Sequence, residues 1–130
     1  MRISLLASRI AVAIACLLLF TGVVSAGEKK LMHCFYFTAI ETATDADWQA
    51  FFKATDELPG KIPGLSHVWY GKLARPMGSG PQARQWGVCM EFADQAALDA
   101  YAGNPAHNAW VTAYSKVRVP GTTTVNFMGR

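Results

Sequence analysis

Apolar positions along the chain follow two periods, alternate residues in some stretches and every third or fourth in others. Leu31 to Ala39 (LMHCFYFTA) is crowded with aromatic and apolar side chains and lacks Gly and Pro, the pattern of a β-strand. Alternation puts Leu31, His33, Phe35 and Phe37 on one face and Met32, Cys34, Tyr36 and Thr38 on the other. Both faces are largely apolar, so the strand should be covered on both sides. From Thr44 to Leu58 the period changes: Trp48, Phe51, Phe52 and Thr55 fall at i, i+3, i+4 and i+7, one stripe of a helix. Thr44 with Asp47 three residues on forms a capping-box pattern, and Pro59-Gly60 stops the helix.

Leu65 to Lys72 reads as a second strand, and the Pro- and Gly-rich Ala74 to Arg84 as a loop. Gln85 to Phe92 makes a third strand. Asp94 can cap a helix over Gln95 to Ala102, which Gly103 and Asn104 interrupt. Asn104-Pro105 restarts it, with Asn as cap and Pro at the first helical position. The restarted piece carries His107, Trp110, Val111 and Tyr114 at i, i+3, i+4 and i+7. After Pro120-Gly121 comes a β-branched last strand, Thr122 to Phe127.

The order β-α-β-β-α-β is the ferredoxin-like split unit, an α+β fold with a four-stranded antiparallel sheet and helices on one face. Its first strand is central. The apolar outer face of Met32, Cys34 and Tyr36 therefore predicts a second sheet against it, and a homodimer supplies one.

The residues before this domain have another character. Met1 to Arg9 is short and positively charged, Ile10 to Val24 is uncharged, and Val24-Ser25-Ala26 offers small residues at −3 and −1 of a cleavage site. Residues 1–26 are expected to be a signal peptide and 27–130 the exported domain, secreted or periplasmic. The apolar run is shorter than the ~20 residues a membrane span needs, so no membrane association is expected after cleavage. Export permits a disulfide. Cys34 and Cys89 should share the outer face of neighbouring strands, and free thiols are expected there because bridge geometry between paired strands is restrictive.

Charge excludes some partners. The full chain carries +3, and without residues 1–26 it has 10 cations against 9 anions. Those charges are scattered, so a nucleic-acid partner is not expected. There is no Gly-rich phosphate loop, CxxC pair or HExxH helix. His33, His67 and His107 lie on separate elements, His67 on an edge strand remote from His33, and no metal site is expected of them.

Tyr101 and His107 flank the helix break and can point into one cavity. A His near pKa 6.5 can take a proton at neutral pH, and a Tyr hydroxyl can donate to a developing oxyanion. The expected cavity has His33, Phe35, Phe37, Phe52 and Trp110 as its lining.

The stretch Asp99 to Trp110 (DAYAGNPAHNAW) resembles the Tyr- and Pro-x-His-bearing segment of the stress-responsive dimeric α/β-barrel domain family. His33, Phe51-Phe52-Lys53, Ile62-Pro63-Gly64 and Glu91-Phe92 fall in the family's places, in order, over residues 30–127. The resemblance implies a homodimer whose two sheets form a barrel, with a pocket between sheet and helices in each subunit. One branch, the plant olivetolic acid cyclases, closes a polyketide ring with a Tyr and a His as acid–base groups and no metal or organic cofactor. Their Tyr and His match Tyr101 and His107, and their first-strand His matches His33. Thr55 departs from that branch, which has an aromatic residue there. Export is a further departure, since those cyclases are cytosolic. The expected function is that of an exported dimer binding a small apolar or aromatic molecule; the alternative is a cofactor-free lyase or polyketide-cyclase-like enzyme using His107 and Tyr101 as an acid–base pair.

Overall fold

A computed structural model describes residues 29–129, and the expected signal peptide lies outside the described residues. The elements are β1 (Leu31–Phe37), α1 (Asp45–Asp56), β2 (Leu65–Met77), β3 (Arg84–Phe92), α2 (Gln95–Tyr101), α3 (Pro105–Tyr114) and β4 (Thr123–Met128). The strands form one antiparallel sheet in the order β2-β3-β1-β4. This is the ferredoxin-like arrangement, with β1 central and β2 and β4 at the edges.

Local chemistry explains the helix ends. The Thr44 hydroxyl accepts from the Asp47 backbone N–H, and the Asp47 carboxylate accepts from the Thr44 N–H, completing the capping box. Asp94 caps α2 by accepting from Ala97 N–H at 2.8 Å. Asn104 caps α3 by accepting from Ala106 N–H at 2.8 Å, with Pro105 at the first helical position. The second helical segment is therefore two pieces, broken at 102–104, and the break sets Tyr101 at the end of one piece and His107 at the start of the next.

Helices and sheet enclose one core of Leu31, Phe35, Phe37, Phe51, Leu58, Val88, Met90, Phe92 and Val117. Phe51 and Thr55 carry the deepest contacts of α1, while Trp48 and Phe52 are half-buried at its border.

Two expectations about this framework need correction. The loop expected over 74–84 is shorter, because β2 continues to Met77 and pairs with Arg84. Pro76 is tolerated there since β2 is an edge strand, where an absent N–H breaks no inner ladder. Cys34 and Cys89 are not free thiols but a disulfide. They do share the outer face. The β1–β3 register sets them directly opposite, with Cα atoms 4.0 Å apart, so both Cβ atoms leave the sheet on the same side within bridging reach.

That outer face is otherwise apolar. Trp69 is 50% exposed, Val125 44% and Phe127 50%, and register places them beside the disulfide and Met32.

Candidate functional site

Three elements converge beside β1 on the helix side of the sheet. β1 contributes His33 and Phe35 by alternation, and β4 contributes Thr124 opposite Phe35. The helix break contributes Tyr101 and His107, and α3 adds Trp110, Val111 and Tyr114. Arg118, paired with Ala39 in a short bridge beyond the turn that follows α3, and Thr122 complete the lining. They line a cavity of about 250 Å³.

Tyr101 and His107 meet edge to face, with ring centroids 4.3 Å apart. His33 lies 6.0 Å from the Tyr101 ring. His33 Nδ1 and the Asn126 side-chain oxygen are hydrogen-bonded at 2.6 Å. Trp110 stacks on Tyr114 at 4.8 Å. Its indole N–H donates to the buried Thr55 hydroxyl at 2.9 Å, and Thr55 donates onward to the Phe51 carbonyl at 2.7 Å. The residue that departs from the cyclase branch thus anchors the aromatic wall.

The polar atoms of this wall are unusual. The hydroxyls of Tyr101 and Tyr114, His107 Nδ1 and Arg118 Nε are buried with no hydrogen-bond partner among the described residues. Such groups are rarely left orphaned inside a fold, and each unmade bond costs ~1–3 kcal/mol.

Burial also sets their acidities. Loss of water holds the His107 pKa below its usual value; the backbone at Ala102 opposes this without completing a bond to Nδ1, and the neighbouring His33 adds to it. Burial pushes the Tyr101 hydroxyl well above the ordinary phenol range, with Tyr114 adding to the rise. Tyr114 is raised too, chiefly by burial, against the positive charges of Arg118 and Arg84. At neutral pH the site pairs a neutral imidazole, ready to accept a proton, with a phenol that keeps its own. That combination can remove a proton next to a carbonyl and donate a hydrogen bond to the resulting enolate oxygen.

Of the expected lining, His33, Phe35, Tyr101, His107 and Trp110 come together here. Phe37 and Phe52 do not. Phe37 is fully buried against Phe51, Trp86 and Tyr114, two residues farther along β1 and past the cavity. Phe52 faces Trp48, Tyr70 and Trp86 at the border of α1 and β2. Sharing a face with His33 was not enough, since α1 and α3 divide that face between core and cavity. Val111, Tyr114, Arg118, Thr122 and Thr124 line the cavity and are not among the expected residues. Arg118 follows Tyr114 by four residues, a signal obscured because the helix ends before it, and Thr124 follows from alternation once the β1–β4 register is known.

Fold and site together define a small α+β pocket protein, its cavity walled by aromatic rings and supplied with His, Tyr and Arg groups. Residues 31–128 match the Stress responsive A/B Barrel Domain, and the chain belongs to that family. No curated protein matches the sequence. Among solved structures, a Dabb family protein with a ferredoxin-like fold from Mesorhizobium loti is 22% identical, with TM-score 0.60 over 76% of this chain and 95% of that one. A dimeric ferredoxin-like protein of unknown function from Thermobifida fusca is 20% identical, with TM-score 0.59 over 78% and 92%. Hydroxynitrile lyase from Passiflora edulis is 8% identical, with TM-score 0.64 over 79% and 95%. Identities this low establish the shared fold.

Proposed function

We propose that this protein is an exported homodimer that binds a small apolar or aromatic molecule in the cavity between its sheet and helices. The observation that carries the binding reading is the 250 Å³ cavity, walled by aromatic rings and lined by the four residues whose buried polar atoms have no partner among the described residues. Apolar lining with a few convergent polar groups is what a ligand site needs. The size suits a molecule of about one ring, smaller than the ~300–1,000 Å³ pockets of drug-sized ligands. Dimerisation is supported by the exposed apolar outer face and by the dimeric description of similar structures. Export is supported by the pattern of residues 1–26 and agrees with the Cys34–Cys89 bridge.

The test uses p-cresol, a neutral one-ring probe, titrated into the labelled protein and followed by amide chemical shifts. The expected changes cluster at residues 101–111, 114 and 122–124. Changes confined to the outer sheet face, or none at millimolar probe, overturn the reading.

A catalytic reading has its own support in the 4.3 Å contact of Tyr101 with His107 and their opposed pKa shifts. In it, His107 removes a proton α to a carbonyl and Tyr101 donates to the enolate oxygen, with no cofactor. Deuterium exchange into acetylacetone in D2O reads that step without knowledge of the natural substrate. Acceleration that His107→Asn and Tyr101→Phe each remove supports it, and exchange at the buffer rate ends it.

A further inference from the structure

Among the described residues that line the cavity, Arg118 is the one Lys or Arg, and none is Asp or Glu. Its guanidinium carbon sits over the Tyr114 ring, 4.6 Å from its centre, a cation–π contact. Its Nε is buried and unpartnered. The ion pairs among the described residues are Lys61–Glu57, His67–Glu91 and Lys116–Asp47, and none involves Arg118. The nearest other charge identified by its influence on Tyr114 is Arg84, also positive, whose own Nη1 is committed to the Thr38 hydroxyl at 3.1 Å. A half-buried guanidinium over an aromatic ring, with no ion-pair partner among the described residues, is placed to receive an anion. Thr122 and Thr124 line the same cavity and add hydroxyl donors, while Phe35 and Trp110 supply the apolar wall.

We infer that the ligand of this cavity is a small aromatic or alkyl carboxylic acid, its carboxylate bound by Arg118 and its body packed on Phe35, Trp110 and Tyr114. The inference rests on the pocket reading above and deepens it. Planarity selects the anion: the guanidinium is a planar fork of N–H donors that matches a carboxylate in two parallel hydrogen bonds. The acid group at Arg118 directs the other end of the molecule toward Tyr101 and His107.

The test compares benzoate with benzamide, which share a shape and differ in charge, by calorimetric titration into the full-length mature dimer, with p-cresol as the uncharged control and benzenesulfonate as the non-planar anion. Benzoate should bind about tenfold or more tighter than benzamide, as a charge-assisted pair exceeds a neutral one. Benzenesulfonate should fall between them. Arg118→Gln should bring benzoate down to the affinity of benzamide and should weaken p-cresol far less than it weakens benzoate. Arg118→Lys, which keeps the charge and the stem, guards against misfolding and should retain part of the preference. Equal binding of benzoate and benzamide by the wild type, with p-cresol bound, leaves the pocket standing and overturns the acid assignment. So does a benzoate preference that survives Arg118→Gln, or a preference for benzenesulfonate. Failure of all four probes to bind overturns both readings.

Discussion

Thr55 and His107 show how much rests on single side chains. Thr55 is buried in α1, accepts from the Trp110 indole and donates to the Phe51 carbonyl. Thr55→Val keeps the shape and removes the acceptor. It should cost ~1–3 kcal/mol, because the indole N–H stays buried without a partner, and p-cresol affinity should fall with it. Thermal denaturation and titration of the same variant check both. His107 carries a pH dependence. Its folded pKa lies below the ordinary value near 6.5, so above that value both states are neutral and its contribution to stability is fully present. As pH falls through 6.5 the unfolded chain takes the proton first, and stability declines until the folded pKa is passed. The groups around it that bear charge or titrate are His33, Tyr101, Tyr114 and Arg118. His107→Asn should remove that slope from a series of denaturant melts between pH 7.5 and 5; an unchanged slope assigns it elsewhere.

At the scale of elements, the helix break matters most for the site. Asn104 caps α3 and so aims His107 at Tyr101. Asn104→Ala should cost ~1 kcal/mol by loss of the cap, and it should weaken p-cresol binding more than an equally destabilising change at the distant Thr44 cap of α1. Gly64, ahead of β2, is a second such point. Its φ is +80°, and a Cβ there would stand 2.6 Å from the Ala97 side chain. Gly64→Ala should therefore lower the melting temperature by forcing the 64 turn away from α2. A melting temperature equal to wild type would show that α2 yields freely.

For the whole molecule, the outer sheet face and the disulfide are linked. Cys34 and Cys89 are 55 residues apart in sequence and join the two central strands beneath Trp69, Val125 and Phe127. Replacing both by Ala should cost about 2–4 kcal/mol from the freed unfolded chain. Alkylation without reductant should label neither cysteine. Light scattering at micromolar concentration should give twice the mature mass, and Phe127→Lys should give a monomer, since sheet-on-sheet pairing would desolvate a charge placed beside Met32 and Val125. A wild-type monomer would end the barrel reading.

What the sequence determined by itself was the local: strand and helix order, caps, the break at 103–104, and the parity that puts His33 and Phe35 on one face and the cysteines on the other. These follow from period, turn residues and capping chemistry, which act within a few residues. The family-bearing positions Tyr101 and His107 were legible for the same reason, each lying beside a Gly-Asn-Pro break. Tertiary structure decided the rest. Register between β1 and β3 placed Cys34 directly against Cys89 and made a bridge of two expected thiols. The division of one sheet face between α1 and α3 sent Phe37 and Phe52 into other packing and left the cavity to Tyr114, Arg118 and Thr124. Alternation tells which side of a sheet a residue faces; which neighbour waits there depends on contacts between segments far apart in the chain.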